Sequence, residues 1–500
     1  MKYFLTLIQL WVGFLSICAS YPKANIWIIP SVESPQVYRN YAQTSKVHLE
    51  MARGEVEHIQ LVFPSKVNEE YRFTFDRYLK GIQISARELK KMNGYYDALV
   101  PFKNQLKCTD TLTAVWITVQ CPSRVPVGKY HQTIKIEGSK HFTIQLDYNV
   151  HHTTIPLKSS IPITVGVENR CMTEGLNDKE ADKERQRWVD FVLSYRMTPV
   201  FGTQITPERW QYEHSFSPWA WNDKRSIRLL NDRRYSCYML PFFTLSENEL
   251  ASLLCNIQKK GKLKESLFYI WDEPAYMEDY EQIKRKVNII RKYASDARIL
   301  TTFFCGPRNG PRKGDLYAVF DYLKHHIHVA TISLAPCKGN EEEVQHIRYK
   351  VPEGIDWWSY VCWQPGGNEP NFLLQMKGIQ QRAVMWRTWK NGSQGFLYWN
   401  CNIYHKRNPF TYITDMPHGD GILIYPGDIL GCKGPIASAR LERWRDGAEE
   451  MELLRLVEKN YSKEKADTLL NIVYSSPLSF IEKAHNIPFF RKELLDQLDK

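Results

Sequence analysis

Two adjacent acidic residues, Asp272 and Glu273, are the clearest candidates for chemistry in this sequence. They directly follow the apolar run "LFYIW" at residues 267–271 and precede Pro274. Two carboxyl groups that lie close together can take different protonation states, because repulsion and burial favour a proton on one of them while the other stays ionised. The cleavage of a glycosidic bond requires this division of roles. We therefore take Asp272 and Glu273 as candidate catalytic residues.

The adjacency of the two acids restricts the mechanism. An ordinary retaining pair flanks the scissile bond at a separation of about 5 to 5.5 Å, which neighbours at one strand end do not readily achieve. Adjacent acids suit a substrate-assisted route, in which the 2-acetamido oxygen of the sugar attacks the anomeric carbon. Glu273 would then protonate the leaving oxygen, and Asp272 would hold the acetamido N–H. The alternative is a surface turn in which Asp272 caps a helix.

An alternation of strand and helix from about residue 160 must position these acids. Alternation over roughly 240 residues is typical of a (β/α)8 TIM-type barrel, and a doubly wound open sheet is the structural alternative. In a barrel the active site lies at the carboxyl ends of the strands, which would place the two acids at its mouth. The predicted strands include PITVGV, YSCYMLPFF, ESLFYIW, ARILTTFF, VATISL, IDWWSYVCW and GFLYW.

The patterns on either side of this region predict two further units. Residues 21–157 contain short alternating strands, such as the one that places Ile59, Leu61 and Phe63 on one face, and they predict an N-terminal β-sandwich. The catalytic barrel is assigned to residues 158–457, and residues 458–500 form a C-terminal helical tail that we expect to pack against the barrel. The helix before this tail has an apolar stripe of Leu441, Trp444, Ala448, Met451 and Leu454.

The first 20 residues predict export. They combine an early lysine, an apolar stretch and small residues near Ser20, as in a secretory signal peptide, and the apolar part is too short for a membrane span. Cys18 leaves a lipoprotein tether open, although Ile17 fits a lipid-attachment motif poorly. We expect a secreted, periplasmic or cell-surface protein without a transmembrane segment.

Composition excludes several other classes. The net charge of +11 is scattered along the chain, so nucleic acid is not an expected partner, whereas an acidic glycan could be attracted electrostatically. No CxxC pair is present, and Cys108 with Cys121 could form a disulfide or remain free thiols. His325, His326 and His328 have no partner ligands that the sequence places, so no metal site is predicted there. The segment "CGPRNGPRKGD" is expected to form a long loop on the catalytic face.

The sequence resembles glycoside hydrolase family 123 over nearly the whole chain after residue 20. The resemblance is carried by five segments in order: YIWDEP, IDWWSYVCW, RAVMWRTWKNGSQGFLYWN, GDGILIYPG and GPIASARLERWRDGAEEMELL. That family comprises β-N-acetylgalactosaminidases, in which an Asp-Glu pair at a strand end orients the acetamido group and acts as acid/base. The resemblance implies these roles for Asp272 and Glu273, and no metal or cofactor.

Five residues within these segments are candidates for substrate binding. Tyr360, Trp363, Tyr398, Trp399 and Asn400 lie at or near predicted strand ends on one rim. Trp399 could form the floor under the sugar, and Tyr398 or Asn400 could bond its acetamido group or a hydroxyl. The alternative for each is a place in the barrel core, because strand residues alternate in direction. Arg387, by contrast, is expected to pack on a helix surface.

The expected function is therefore that of a retaining exo-glycosidase that removes terminal β-linked N-acetylgalactosamine from a glycolipid, glycoprotein or polysaccharide. Two alternatives remain open. The first is a glycosidase of the same fold that acts on another hexosaminide or sugar. The second is a non-catalytic glycan-binding relative.

Overall fold

The structure is a computed structural model that describes residues 26–76, 81–206, 211–404, 408–409 and 419–500. The predicted signal peptide, residues 1–20, lies outside the described residues. In the part of the chain that is described, no helix is long and apolar enough to cross a membrane.

The N-terminal region consists of two five-stranded sheets, with the strand orders β1-β3-β8-β5-β6 and β2-β10-β9-β4-β7. All pairings are antiparallel except that of β2 with β10. The strands are β1 (Trp27–Pro30), β2 (Lys46–Arg53), β3 (Val56–Pro64), β4 (Glu70–Phe75), β5 (Gln83–Met92), β6 (Tyr95–Pro101), β7 (Gln105–Lys107), β8 (Leu112–Gln120), β9 (Gly128–Glu137) and β10 (His141–Thr154).

The first of these sheets is buried on both faces. Ile59, Leu61 and Phe63 of β3 share one face, as predicted, and they lie in a core to which both sheets contribute. Val62 points the opposite way and lies in a larger core together with Trp444 of the C-terminal part. The N-terminal region is thus attached to the rest of the protein through apolar burial, which is the main favourable term in folding.

The region from residue 163 onward is built around a nine-stranded, barrel-like sheet. Its strand order is β13-β12-β11-β19-β18-β17-β16-β15-β14, and every pairing is parallel except that of β12 with β13. The strands are β11 (Ile163–Glu168), β12 (Thr198–Thr206), β13 (Gln211–Ser215), β14 (Tyr238–Met239), β15 (Ser266–Trp271), β16 (Arg298–Phe303), β17 (Val329–Ser333), β18 (Asp356–Val361) and β19 (Phe396–Tyr398).

The two ends of this sheet meet, which an open doubly wound sheet would not do. The backbone N–H of Phe216, just after β13, donates to the carbonyl of Met239 in β14 at 2.6 Å. Neither β12 nor β13 is among the strands that the sequence interpretation names, which include none between residues 198 and 215. The sheet is therefore barrel-like and nearly closed, with nine strands where the predicted (β/α)8 barrel has eight.

Helices follow the parallel strands along the chain, so the predicted alternation is confirmed. Asn177 with Glu180 and Ser246 with Glu249 form capping boxes at two of the helix starts. Beyond the barrel-like sheet, β20 (Ile424–Pro426) and β21 (Pro435–Ala437) pair with each other. The helices are α1 (Asn169–Thr173), α2 (Asp178–Ser194), α3 (Lys224–Leu229), α4 (Glu247–Lys259), α5 (Met277–Arg291), α6 (Leu316–Leu323), α7 (Glu341–Lys350), α8 (Gly378–Lys390), α9 (Ala439–Asn460), α10 (Lys463–Leu470) and α11 (Ile487–Leu498).

Two expectations of local packing are settled by the structure. Arg387 does not lie on a helix surface: it is 2% exposed and pairs with Glu341 and Glu369 at 2.8 Å. The prediction was wrong because α8 is buried on nearly all sides. Cys108 and Cys121 are buried free thiols. The other cysteines of the described residues are also free thiols.

Helix α9 is buried around most of its circumference. The predicted apolar stripe is buried, from Leu441 to Leu454, but so are the charged residues between its members. Burying a charge is costly unless it is paired or hydrogen-bonded. Six of these charges form ion pairs, and Arg443 and Glu452 are hydrogen-bonded instead. The buried charged residues of the helix are Arg440, Glu442, Arg443, Arg445, Asp446, Glu449, Glu450 and Glu452.

Buried ion pairs connect the C-terminal tail to α9 and to the N-terminal sheets. Glu450 of α9 pairs with Arg491 of the tail at 3.5 Å and with Arg382 of α8 at 2.6 Å, and Arg382 also contacts Asp446 at 3.0 Å. Arg491 of α11 contacts Glu55 and Glu57, at the start of β3, at 2.8 and 2.9 Å. The tail therefore packs against α9 and the N-terminal region.

Arg491→Met is expected to lower the free energy of unfolding by about 3 kcal/mol, because it leaves Glu55 and Glu57 buried without their cation. The neighbouring Lys492→Gln is the matched control: its ion pair with Asp496 is exposed, and the expected loss is much smaller than that in Arg491→Met. Denaturant unfolding monitored by circular dichroism measures both. Equal losses in the two variants would contradict a stabilising role for the buried pairs.

Candidate active site

Asp272 and Glu273 lie at the mouth of the barrel-like sheet, directly after β15. Each residue as a whole is exposed, but the carboxyl group of Glu273 is partly shielded from water where it meets the hydroxyl of Tyr360. Helix α5 begins only at Met277, and the acid that accepts the backbone N–H groups of Ala275 and Tyr276 is Asp279. Asp272 is therefore not a helix cap, which removes the alternative interpretation of the motif.

The carboxylate of Asp272 is held by two hydroxyl groups. Tyr269 Oη donates to Oδ1 of Asp272 at 2.6 Å, and Thr302 Oγ1 donates to the same oxygen at 2.8 Å. Tyr269 belongs to β15, and Thr302 belongs to the neighbouring strand β16. Among the described residues, Oδ2 of Asp272 has no hydrogen-bond partner, so this oxygen can accept a proton donor from a substrate.

Glu273 is turned out of the strand by its backbone. Its φ of 42° lies in the left-handed region, which residues other than glycine rarely occupy and which costs conformational energy. Its N–H donates to Thr302 Oγ1 at 2.8 Å, and its carboxylate accepts a hydrogen bond from Tyr360 Oη. Thr302 thus fixes Asp272 through its side chain and Glu273 through its backbone.

The surroundings of Glu273 favour its protonated form. The pKa of Glu273 is raised to about 7: the removal of its carboxyl group from water is the largest cause, the charge of Asp272 adds to the rise, and the hydrogen bond from Tyr360 opposes it. A carboxyl group with this pKa still carries a proton in much of the population at neutral pH, so it can act as a general acid.

A cavity beside Asp272 extends toward β11, β12, β13 and β19. His214 of β13 stacks on Tyr269 with 4.3 Å between the ring centroids, and burial lowers the pKa of His214 to about 3, which keeps its imidazole neutral. Besides Asp272, the larger side chains that line the cavity are Tyr212, His214, Tyr269, Tyr398, Trp399 and Asn400.

Three of the five predicted substrate-binding residues line this cavity. The half-buried indole of Trp399 is fixed by its Nε1, which donates to Asp420 Oδ1 at 3.0 Å. The hydroxyl of Tyr398 also donates to Asp420, at 3.1 Å, and Asn400 Oδ1 accepts the N–H of Asn402 at 3.0 Å. A Cβ on Gly166 would lie 1.9 Å from the carbonyl oxygen of Trp399, so only glycine permits this approach.

The other two predicted residues lie elsewhere on the rim. Tyr360 is buried and reaches Glu273 through its hydroxyl. Trp363 follows β18, is 42% exposed and does not line the cavity. The substrate-binding roles of all five residues stay predictions.

Sequence reasoning missed four residues of this site: Tyr269, Thr302, His214 and Asp420. The alternation of β15 could have found Tyr269, because it shares the inward face with Leu267. Asp420 lies in the segment GDGILIYPG, is 4% exposed and has its pKa raised to about 6 by burial. Nothing local indicates Thr302 or His214, since their proximity depends on how the strands pair.

Thr302→Val is expected to lower kcat about tenfold with a smaller change in KM, because both acids lose the hydroxyl group that positions them. Valine fills the same volume, so the melting temperature should change little. Steady-state kinetics and thermal unfolding measure both effects. A fall in the apparent kcat that matches the fraction of protein lost to unfolding would rule out a positioning role.

Three comparisons with known proteins bear on this site. The family model described as "Glycoside hydrolase 123, catalytic domain" matches residues 183–457, more than half of the chain. A family 123 glycoside hydrolase from Clostridium perfringens has a similar structure, with a TM-score of 0.67 and 13% identity over 95% of this chain and 98% of that one. A β-D-glucuronidase from Dictyoglomus thermophilum aligns with a TM-score of 0.33 and 10% identity over 81% of this chain and 71% of that one. No curated protein matches the sequence.

The residues that match the family model include the strands from β12 to β19 and both acidic residues of the site. The structural likeness to the Clostridium perfringens enzyme extends over the N-terminal sheets as well, since it spans nearly the whole of both chains. The chain belongs to glycoside hydrolase family 123.

Proposed function

We propose that this glycoside hydrolase removes terminal β-linked N-acetylgalactosamine with retention of configuration, by a substrate-assisted route. The observation that carries the proposal is the adjacent pair of acids at one strand end, with Asp272 facing the cavity and Glu273 turned toward Tyr360. Neighbouring carboxylates do not straddle a sugar ring, so the nucleophile must come from the substrate.

Asp272 is proposed to orient the acetamido group. Tyr269 and Thr302 occupy its Oδ1, so Oδ2 can accept the acetamido N–H and stabilise the positive charge that develops as the oxazolinium ring closes. A fixed carboxylate needs little reorganisation when that charge appears, which is the source of electrostatic catalysis.

Glu273 is proposed to act first as an acid and then as a base. It gives its proton to the leaving oxygen as the acetamido oxygen attacks the anomeric carbon. It then takes a proton from the water that opens the oxazolinium ring, and the two inversions at the anomeric carbon give net retention.

The rate should fall as the pH rises through about 7, because Glu273 must be protonated and its pKa is about 7. Tyr360→Phe should move this limb of the kcat/KM profile to higher pH, since the hydrogen bond from Tyr360 lowers the pKa of Glu273. Initial rates between pH 5 and 9, at constant ionic strength, measure the position of this limb in the wild type and in the variant. An unmoved limb in the variant would assign it to another group.

The proposed substrate is a glycan that ends in N-acetylgalactosamine. The Clostridium perfringens relative is described by glycolipid glycan hydrolysis, and N-acetylgalactosamine is what the sequence resemblance implies. A glycolipid, glycoprotein or polysaccharide would present such a residue at its end. The same arrangement could serve another hexosaminide, because Asp272 would recognise any 2-acetamido group.

Aryl β-N-acetylgalactosaminide and β-N-acetylglucosaminide substrates test the proposal directly. The first should be cleaved faster, nuclear magnetic resonance should detect the β-anomer as the first product, and an oxazoline-mimicking thiazoline should inhibit. Initial release of the α-anomer would contradict retention. An active enzyme that thiazoline does not inhibit would point to an enzymic nucleophile.

We further infer the architecture of the two regions and the export of the protein. The two N-terminal sheets are interpreted as a β-sandwich, and the barrel-like sheet is interpreted as a (β/α)8 barrel to which β13 is added. Export, with cleavage near Ser20, is proposed from residues 1–20. Mass spectrometry of the N-terminus of the secreted protein tests that cleavage.

A further inference from the structure

The loop that follows β16 is hydrogen-bonded to the segment that comes directly after the two acids in the chain. It contains the segment CGPRNGPRKGD, residues 305–315, which the proposed mechanism does not use. The N–H of Arg308 donates to the carbonyl of Ala275 at 2.7 Å, and the N–H of Met277 donates to Asn309 Oδ1 at 2.8 Å. These bonds hold the loop against Ala275 and Met277, which follow Glu273 by two and four residues in the chain.

The guanidinium of Arg308 has no ion-pair partner among the described residues. Its side chain is exposed, and its guanidinium lies 5.9 Å from the ring centroid of Tyr276, which is itself 45% exposed. Over the described ranges, no carboxylate lies within ion-pair distance of Arg308, and the nearby Glu278 carboxylate accepts from Asn309 Nδ2 instead. Arg312 of the same loop is different, because it donates to the carbonyl of Ala318.

The position of the cavity indicates which part of a substrate would reach this loop. The cavity beside Asp272 extends toward β11, β12, β13 and β19, and neither Glu273 nor the loop lines it. An acid that protonates the leaving oxygen must lie next to the leaving group. The leaving group therefore extends on the side of Glu273. Tyr276 lies three residues after Glu273, and the loop that carries Arg308 is bonded to the intervening Ala275.

We propose that Arg308 and Tyr276 bind an acidic sugar in the leaving group, so that the enzyme prefers glycans with a carboxylate or a sulfate ester next to the terminal residue. This inference rests on the proposed function. The planar guanidinium of Arg308 matches the paired oxygens of either anion. The exposed ring of Tyr276 offers an apolar face to the sugar that carries the anion.

Matched substrates test this proposal without requiring the natural glycan. They are aryl β-N-acetylgalactosaminides, or the corresponding glucosaminides, whose phenyl ring carries a carboxylate, a methyl ester or a sulfate ester at the meta or para position. The measured quantity is the ratio of kcat/KM for each acidic substrate to that for the methyl ester. The variants are Arg308→Gln, Arg308→Lys and Lys313→Gln, each checked by thermal unfolding.

Arg308→Gln is expected to lower this ratio about tenfold for at least one of the anions, the loss of one charge-assisted contact. Arg308→Lys should restore part of the ratio, because it restores the charge but not the planar fork. Lys313→Gln removes an exposed charge from the same loop and should leave the ratio within about twofold, as expected for a distant screened charge. The anion whose ratio falls more identifies the carboxylate or the sulfate as the preferred group.

Two results would overturn the proposal, and each differs from a failure of the proposed function. If Arg308→Gln leaves the ratio unchanged for both anions, Arg308 does not contact the leaving group. If Lys313→Gln lowers the ratio as much as Arg308→Gln does, the preference is a long-range charge effect and not a binding site. If the wild type cleaves none of the substrates, the proposed hexosaminidase activity itself is wrong.

Discussion

Glu273→Gln is expected to slow the hydrolysis of a sugar or alkyl β-N-acetylgalactosaminide by about 10³-fold, within the range that general acid–base catalysis contributes. Such leaving groups depart only with a proton, and glutamine has none to give. An aryl glycoside with a nitrophenol leaving group departs without full protonation, so the loss on that substrate should be much smaller. The dependence of kcat on the pKa of the leaving group, measured over a series of aryl glycosides, should therefore become steeper in the variant.

Glu278→Gln is the control for this variant. Glu278 is an exposed acid in the first turn of α5, five residues after Glu273, and it has no role in the mechanism. Its removal should leave the series almost unchanged. If Glu273→Gln slows all leaving groups equally, Glu273 is not the acid, and the assignment of roles within the pair is wrong.

Asp272→Asn is expected to lower kcat by about 10³-fold, because the carboxylate that stabilises the oxazolinium-like charge becomes neutral, and removing one such group typically costs 10²–10³. Asparagine can still accept the hydrogen bonds from Tyr269 and Thr302 through its Oδ1, so the fold should be retained. Inhibition by thiazoline should weaken in parallel, since that inhibitor mimics the intermediate that Asp272 holds. Isothermal titration calorimetry measures the loss of thiazoline affinity without turnover.

The same variant has a second expected effect on the pH profile. The charge of Asp272 raises the pKa of Glu273, so its removal should move the alkaline limb of the remaining activity to lower pH. Asp321→Asn, an exposed acid on α6 that pairs with Lys324, serves as the control and should move neither kcat nor the limb. A thiazoline affinity that survives in Asp272→Asn would show that another group orients the acetamido.

Much of the fold follows from local sequence patterns. The apolar runs before and after Asp272 and Glu273 predict strands that the structure has, including β15, β16, β17 and β18. Ser246 and Glu249 predict the start of α4 at the observed residue. These features are local, because capping and alternation depend on residues within one or two turns.

Other features depend on contacts between distant segments. The antiparallel strand β13 is short, and its pairing with β12 is decided by the closure of the sheet. The acidic residues Asp446 and Glu450 of α9 are buried, and Arg382 and Arg491 come from other helices to pair with them. The sequence contains each partner but not their proximity.

For the site, the sequence alone determined that two acids end a strand and that their adjacency favours a nucleophile from the substrate. Only the tertiary structure decided how they differ: Thr302 of β16 holds both, Tyr269 fixes Asp272 beside the cavity, and Tyr360 of β18 reaches Glu273. The physical reason is that a pKa and an orientation depend on neighbours across strands, and strand pairing joins residues that lie 29 to 87 positions apart in the chain.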